Sequence, residues 1–460
     1  MRVARISLPL AVGLVSAAPG ATVTAQTAQQ VVGAVTIDSF RLANGLQVLY
    51  AEQHETPVVT VDLWYRVGAR NERPKVSGFA HLFEHMMFQG SAHVGKAEHF
   101  KYVERAGGDE NGSTHDDYTN YYETLPSNRL NLALWLEADR MRSLAVTQEN
   151  LENQRQAVEE EKRLRVDNQP YQGALRGSLI WPYDSTNCFA YAHPGIGVME
   201  DLDSAKLEEV RAFHDTYYAP NNVTLVVAGD FKPAELKQLV TSYFSDIPSK
   251  PAPAAVTCNY KLSPGIVQRA VADSHATLPA VLRAYRIPAA ADEDTPALDL
   301  LNSILGQGES SRLNVEVVRK DTAALTASSF SVNERRGPGT LLVLGIANRG
   351  VTAGRLDSLL AAQVEAIRSN GVTAGELARA RNQYRAGVIQ SRETTFGVAE
   401  GINYYSLLFP SVSDMNTDPQ RYMAVTADDI KRVAQKYLDP ANATVVTVNP
   451  AGKSQSGGDQ

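Results

Sequence analysis

The chain has 460 residues, of which 43% are hydrophobic and 21% charged, with a formal net charge of −7. That length implies two to four domains at roughly 100–200 residues each, and the apolar content is ordinary for a globular protein that fills several cores. The acidic balance argues against a nucleic-acid partner, which needs a basic face, and no apolar run reaches the ~18–20 residues of a membrane span.

At the N-terminus, Arg2 and Arg5 precede an apolar run from Ile6 to Val15, and Val23-Thr24-Ala25 forms a small-residue cleavage pattern before Gln26. Charge, apolar core and small residues in that order read as a cleaved secretory signal peptide over residues 1–25. The expected localisation is periplasmic or secreted, in a bacterium.

Gly45 to Tyr50 and Val58 to Tyr65 are β-branched and aromatic, with Asn44-Gly45 as a turn before the first, and are expected as strands. The stretch His81-Leu82-Phe83-Glu84-His85 follows Gly78. Four residues apart on a helix, the two histidines stand one turn apart on one face. From there two imidazole nitrogens can reach one zinc ion about 2 Å away. Glu84 could act as general base toward a zinc-bound water, and the order H-x-x-E-H inverts the commoner metalloprotease pattern. A third protein ligand is required elsewhere.

Glu98 to Ala106 is expected as a helix closed by Gly107-Gly108, followed by a strand pair, Asn111 to Thr114 and Thr119 to Leu125. From Thr147, an N-cap, a helical pattern runs to about Asp167. Leu151, Gln154, Val158 and Glu161 share one face, whereas Glu159 and Glu160 turn toward solvent. A carboxylate on an apolar face needs a partner, and a zinc ion would be one for Glu161. The two cysteines, Cys188 and Cys258, could pair in an exported protein or stay as buried thiols. Of the other histidines, His54, His93, His99, His214 and His275 lack partners at ligand spacing, His115 reads as an exposed turn residue and His193, before Pro194, as a loop residue.

The clearest linker is Pro248-Ser249-Lys250-Pro251-Ala252-Pro253. On either side of it Tyr217, Pro220, Asn222, Thr224 and Val226 recur as Tyr437, Pro440, Asn442, Thr444 and Val446, each set leading from a helical pattern into a strand. This reads as a duplicated α/β unit. The division is residues 33–247, a linker over 248–261, a second unit over 262–450 and a disordered Gly/Ser-rich tail over 451–460.

Four stretches together resemble the inverzincin peptidases, the family of pitrilysin, insulin-degrading enzyme and mitochondrial processing peptidase. They are Gly78 to Met86; Gly107-Gly108 through Asn111, Thr114, Asp117, Thr119 and Tyr121 to Pro126; Asn153 to Glu161; and Tyr217 to Asn222. The resemblance runs from about Val35 to Pro450. It implies an α+β fold of two homologous domains, each an antiparallel sheet packed with helices, forming half of a peptidase clamshell. The implied activity is that of a zinc metalloendopeptidase with one zinc per chain, held by His81, His85 and Glu161. Glu84 is the implied catalytic base, and extended or unfolded peptides the implied substrates.

By the same resemblance Asn111, Gly112, Ser113 and Thr114 form a substrate-binding edge strand, although Asn111-Gly112 alone would read as a hairpin turn. Gln154 stands where many members carry a second glutamate, seven residues before the ligand; its amide can still hydrogen-bond there but brings no charge. In the second half Arg319 matches a substrate-contacting arginine, but Thr326 replaces the tyrosine that accompanies it. That half is expected to be non-catalytic. The implied partner is a similar subunit supplying an Arg/Tyr pair, or a second copy of the chain. A non-catalytic structural subunit of a larger complex is the alternative.

Overall fold

The β-branched runs become two sheets in a computed structural model that describes residues 33–257 and 266–451. The expected signal peptide, Cys258, residues 258–261 of the linker and residues 452–460 of the tail lie outside the described residues. In the first half the order is β1 (Asp38–Arg41), β2 (Gln47–Glu52), β3 (Val58–Tyr65), α1 (Phe79–Met86), α2 (Glu98–Arg105), β4 (Asp109–Thr114) and β5 (Thr119–Pro126). Then come α3 (Leu130–Ser143), α4 (Gln148–Lys162), α5 (Gln172–Ile180), α6 (Met199–Ser204), α7 (Leu207–Tyr217), β6 (Val223–Gly229) and α8 (Pro233–Phe244). A π-helical turn, Arg163–Asp167, prolongs α4 to the end expected for it.

The second half repeats the plan. It runs through β7 (Val267–Asp273), β8 (Ala280–Ile287), α9 (Thr295–Gly306), a π-helical segment (Leu313–Lys320), β9 (Ala324–Val332) and β10 (Gly339–Ala347). It continues through α10 (Ala353–Asn370), α11 (Ala374–Ser391), α12 (Thr395–Leu408), α13 (Asp414–Ala424), α14 (Ala427–Tyr437) and β11 (Thr444–Pro450).

Strand order is β1-β2-β6-β3-β5-β4 in one sheet and β7-β11-β8-β10-β9 in the other. Without β1 the two orders coincide, and the repeated residues explain why. Tyr217 and Tyr437 end α7 and α14, and Pro220–Asn222 and Pro440–Asn442 form 3-10 turns that aim β6 and β11 into equivalent positions. Both sheets are antiparallel except at that insertion, where β6 runs parallel to β2 and β11 parallel to β7.

Strand β3 is buried along nearly its whole length, because both of its faces are covered. With a side-chain period of two, Val59, Val61, Leu63 and Tyr65 enter the main core with Leu82, Phe83 and Leu134. Thr60 and Asp62 point the other way and meet the second half: Thr60 Oγ1 lies 2.8 Å from Thr395 Oγ1, and Asn403 Nδ2 donates to Asp62 Oδ2 at 2.9 Å. These partners sit on α12, whose Val398, Ala399 and Ile402 pack on Leu49, Ala51, Val226 and Ala228 of the first sheet. In return α5, from the first half, lays Ala174 against Leu282, Ala284, Val446 and Val448 of the second sheet. Each half thus closes the back of the other's sheet. No helix among the described residues is long and apolar enough to cross a membrane.

Candidate metal centre

Helix α1 begins where Gly78 takes φ +86°, a left-handed conformation favouring glycine, and where a Cβ would lie 2.8 Å from the Ile196 carbonyl oxygen. Two of its first N–H groups, on Gly78 and Ala80, donate to the Glu72 carboxylate at 2.8 Å each. Such groups lack intrahelical partners. Glu72 is buried and is held in turn by His193 Nε2 at 2.9 Å. His193 is therefore a brace for the helix start rather than a loop residue without a role.

Leu82, Phe83 and Met86 bury one face of α1, leaving His81, Glu84 and His85 half-buried toward α4. The α4 N-cap is Thr147, whose Oγ1 accepts from Asn150 N at 3.2 Å. Leu151 and Val158 are fully buried, and one turn further their stripe delivers Glu161. Its Oε2 lies 3.6 Å from His81 Nε2 and 3.2 Å from His85 Nε2. Donors around a tetrahedral zinc with arms of 2.0–2.1 Å sit about 3.4 Å apart, so this set fits the ion. Glu161 Oε1 is held by Arg165 at 2.8 Å, which fixes the carboxylate's rotation. Arg165 escapes the sequence reading, although its i,i+4 spacing from Glu161 is a signal for such a pair.

Burial and the adjacent His85 lower the His81 pKa to about 4, keeping the imidazole neutral, as a metal ligand must be. Burial raises the Glu84 pKa, opposed by a hydrogen bond from Thr114 and by His85. Gln154 is buried, but its amide donates to Asn153 at 2.7 Å, and His81 Nδ1 finds no hydrogen-bond partner.

Asn111, Gly112, Ser113 and Thr114 lie on β4, the edge strand of the first sheet, paired only with β5 among the described residues. The hairpin turn falls after Thr114, so Asn111-Gly112 is strand. Thr114 ends the strand against α1, its hydroxyl reaching Glu84 and, at 3.5 Å, the Ala80 carbonyl. Beyond it opens a cavity of about 360 Å³, lined from both halves by residues including His115, Arg176, Leu179, Val332 and Glu334.

Other expected positions lie apart from the cluster. Arg319 is exposed and pairs with Glu309 at 2.9 Å, and Thr326 faces Ile346 within the second sheet. Cys188 is buried and disulfide-bonded. His99, without a ligand-spaced partner in the sequence, meets Glu110 and Glu123 through the pairing of β4 with β5, in a second cluster of metal-binding dimensions.

Residues 47–179 match the family described as insulinase (peptidase family M16), and residues 204–384 match the peptidase M16 inactive domain. The zinc protease PqqE of Helicobacter pylori is 31% identical over 422 residues, spanning 90% of this chain and 93% of that protein. The crystal structure of a protease from Helicobacter pylori superposes with a TM-score of 0.84 at 29% identity, covering 90% of this chain and 100% of that one. The periplasmic protease PqqL from Escherichia coli shares the fold, with a TM-score of 0.72 at 18% identity over 90% of this chain and 48% of that chain.

Proposed function

Because the chain belongs to peptidase family M16, we propose that it is a zinc metallopeptidase subunit acting on extended peptides, with His81, His85, Glu84 and Glu161 as its centre. The convergence of His81 and His85 on one oxygen of Glu161, at 3.6 and 3.2 Å, carries this reading. These three residues would hold one zinc ion. Zinc supplies Lewis acidity there, acidifying water and polarising a peptide carbonyl. Glu84 takes the proton from the attacking water and returns it to the departing amine.

The open edge of β4 at Asn111–Thr114 offers N–H and C=O groups to a peptide backbone, which favours unfolded chains over folded ones. Thr114 ties that strand to Glu84, so a peptide added to the edge is laid beside the base. The neighbouring cavity receives a substrate side chain.

The proposal includes the division into a zinc-binding half (33–247), a linker (248–261) and a non-catalytic half (262–450). It also includes export by the N-terminal segment. This chain covers 48% of the PqqL chain, which supports pairing with a second, similar subunit that contributes an Arg/Tyr pair. A homodimer using Arg319 is the second form.

Glu84→Gln tests the centre. It is expected to lower hydrolysis of an unstructured fluorogenic peptide by about 10²–10⁴-fold while zinc stays bound. Hydrolysis at the wild-type rate would remove Glu84 from the mechanism, and an inactive wild-type chain that takes up no zinc at this centre would favour the structural-subunit role.

A further inference from the structure

Sheet register places Glu110 of β4 directly opposite Glu123 of β5, where like charges repel. A third acid, Glu137 on α3, is already satisfied: Arg140 grips it with two hydrogen bonds, one of them Nε to Oε2 at 2.8 Å. Glu110 and Glu123 remain, with side chains 3% and 0% exposed. The group they share is His99, 4% exposed. Neutral, His99 leaves two negative charges in the interior; protonated, it still leaves one. Uncompensated buried charge is not tolerated, and burial raises both carboxyl pKa values, so unless protons fill the deficit the cluster is short of positive charge.

It is also short of hydrogen bonds. His99 Nε2, Glu110 Oε1 and both carboxylate oxygens of Glu123 are buried without a partner. His99 Nε2 faces Glu123 Oε1 across 3.7 Å, too far for a hydrogen bond. Two arms of ~2.1 Å to one ion would open about 120° at that spacing. The other ring nitrogen, Nδ1, lies 2.5 Å from Glu110 Oε2. That contact fixes the ring and its tautomer, as a carboxylate behind a metal-bound histidine does.

We propose that His99 and Glu123 form a second, structural zinc site, with Glu110 orienting the His99 ring. Imidazole with carboxylates suits zinc among the divalent ions, and its double charge neutralises the pair. The ion binds through His99 Nε2 and the oxygens of Glu123. Arg140 closes the far side, 3.7 Å from Glu123, with its own charge taken up by Glu137. The site joins α2, β4 and β5, one residue from the Asn111–Thr114 edge, and so stiffens that strand from its far end. It stands on its own geometry, apart from the catalytic reading.

The test is zinc content of the full-length chain after equilibration with Zn²⁺ and removal of free metal, read by mass spectrometry. Wild type is expected to hold about two zinc ions, and His81→Ala/His85→Ala about one. Adding Glu123→Gln, which keeps the side-chain shape, is expected to remove that last ion. A folded His81→Ala/His85→Ala protein holding no zinc would show that protons neutralise the cluster and would overturn the proposal. So would zinc surviving Glu123→Gln in that background. Should Glu123→Gln unfold the chain, X-ray absorption of zinc in His81→Ala/His85→Ala decides: one imidazole with carboxylate oxygens supports the site, any other ligand set overturns it. Failure of the first centre reads differently, as a zinc count unchanged by His81→Ala/His85→Ala.

Discussion

Helices α1 and α4 in the first half and α9 and α11 in the second occupy matching places on sheets of matching order. At the first junction His81, His85 and Glu161 converge, half-buried and ionisable. At the second, Ser303 Oγ of α9 donates to Gln383 Oε1 of α11 at 2.9 Å, and beside them Asp299 of α9 accepts from the Tyr422 hydroxyl of α13 at 2.7 Å. A neutral hydrogen bond joins the two helices there, and the nearby Asp299 carboxyl is satisfied by a tyrosine hydroxyl, with no histidine on either helix. Imidazoles and a carboxylate in the same place cost desolvation, which is recovered only when something binds them. The frame is common to both halves; the donor set is confined to one.

The largest effect expected from this contrast is at the first junction. Partners behind a metal ligand are worth about 10–100-fold in affinity or activity, so losing a ligand should exceed that. His85→Ala is expected to lose the zinc of the first centre and peptide hydrolysis with it, whereas Ser303→Ala should leave both near wild type. Comparable losses of zinc or kcat/KM in the two variants would erase the distinction.

An intermediate effect should come from the exchanged helices. Ile402, fully buried on α12, packs on the first sheet although it belongs to the second half. Ile402→Ala is expected to cost about 2–5 kcal/mol in denaturant unfolding. Hydrogen exchange should then quicken at β2 and β6 before β8 and β10. The reverse order would mean that α12 serves its own half.

The smallest effect lies in the second half alone. The hydrogen bond from Arg312 lowers the Glu376 pKa to about 2. A depressed carboxylate stabilises the fold above its unfolded pKa near 4.5, and that contribution is lost as pH falls from there toward 2. Discounted for solvent screening, it is about 1 kcal/mol. Arg312→Met should remove this part of the acid dependence while sparing zinc binding at pH 7; an unchanged acid titration of stability would discard the pair.

Much of the frame is legible in the residues themselves. Val58 to Tyr65 reads as a strand and is one with the same bounds. Helical spacing alone sets His81 beside His85 and puts Glu161 on the stripe of Leu151 and Val158. The recurrence of Tyr217 and Pro220 as Tyr437 and Pro440 announces two sheets of one plan. What stays hidden depends on which surfaces meet. An apolar stripe on α5 or α12 says that the helix is buried, not that it crosses to the other half's sheet. His99 and Glu123 are far apart in sequence and become neighbours only through strand pairing. Asn111-Gly112 alone reads as a turn, and only the pairing of β4 with β5, which puts the hairpin turn after Thr114, decides for strand.

The crossing of α12 also bears on when the protein can finish folding. Leu49, Ala51, Val226 and Ala228 form the back of the first sheet, but the helix that covers them ends only at Leu408. As the chain leaves the ribosome, that apolar face stays bare until nearly all of the sequence has emerged. Nascent chains with exposed apolar surface and open strand edges are prone to aggregate and depend on chaperones. The sheet that carries the H-x-x-E-H helix is therefore completed late in synthesis.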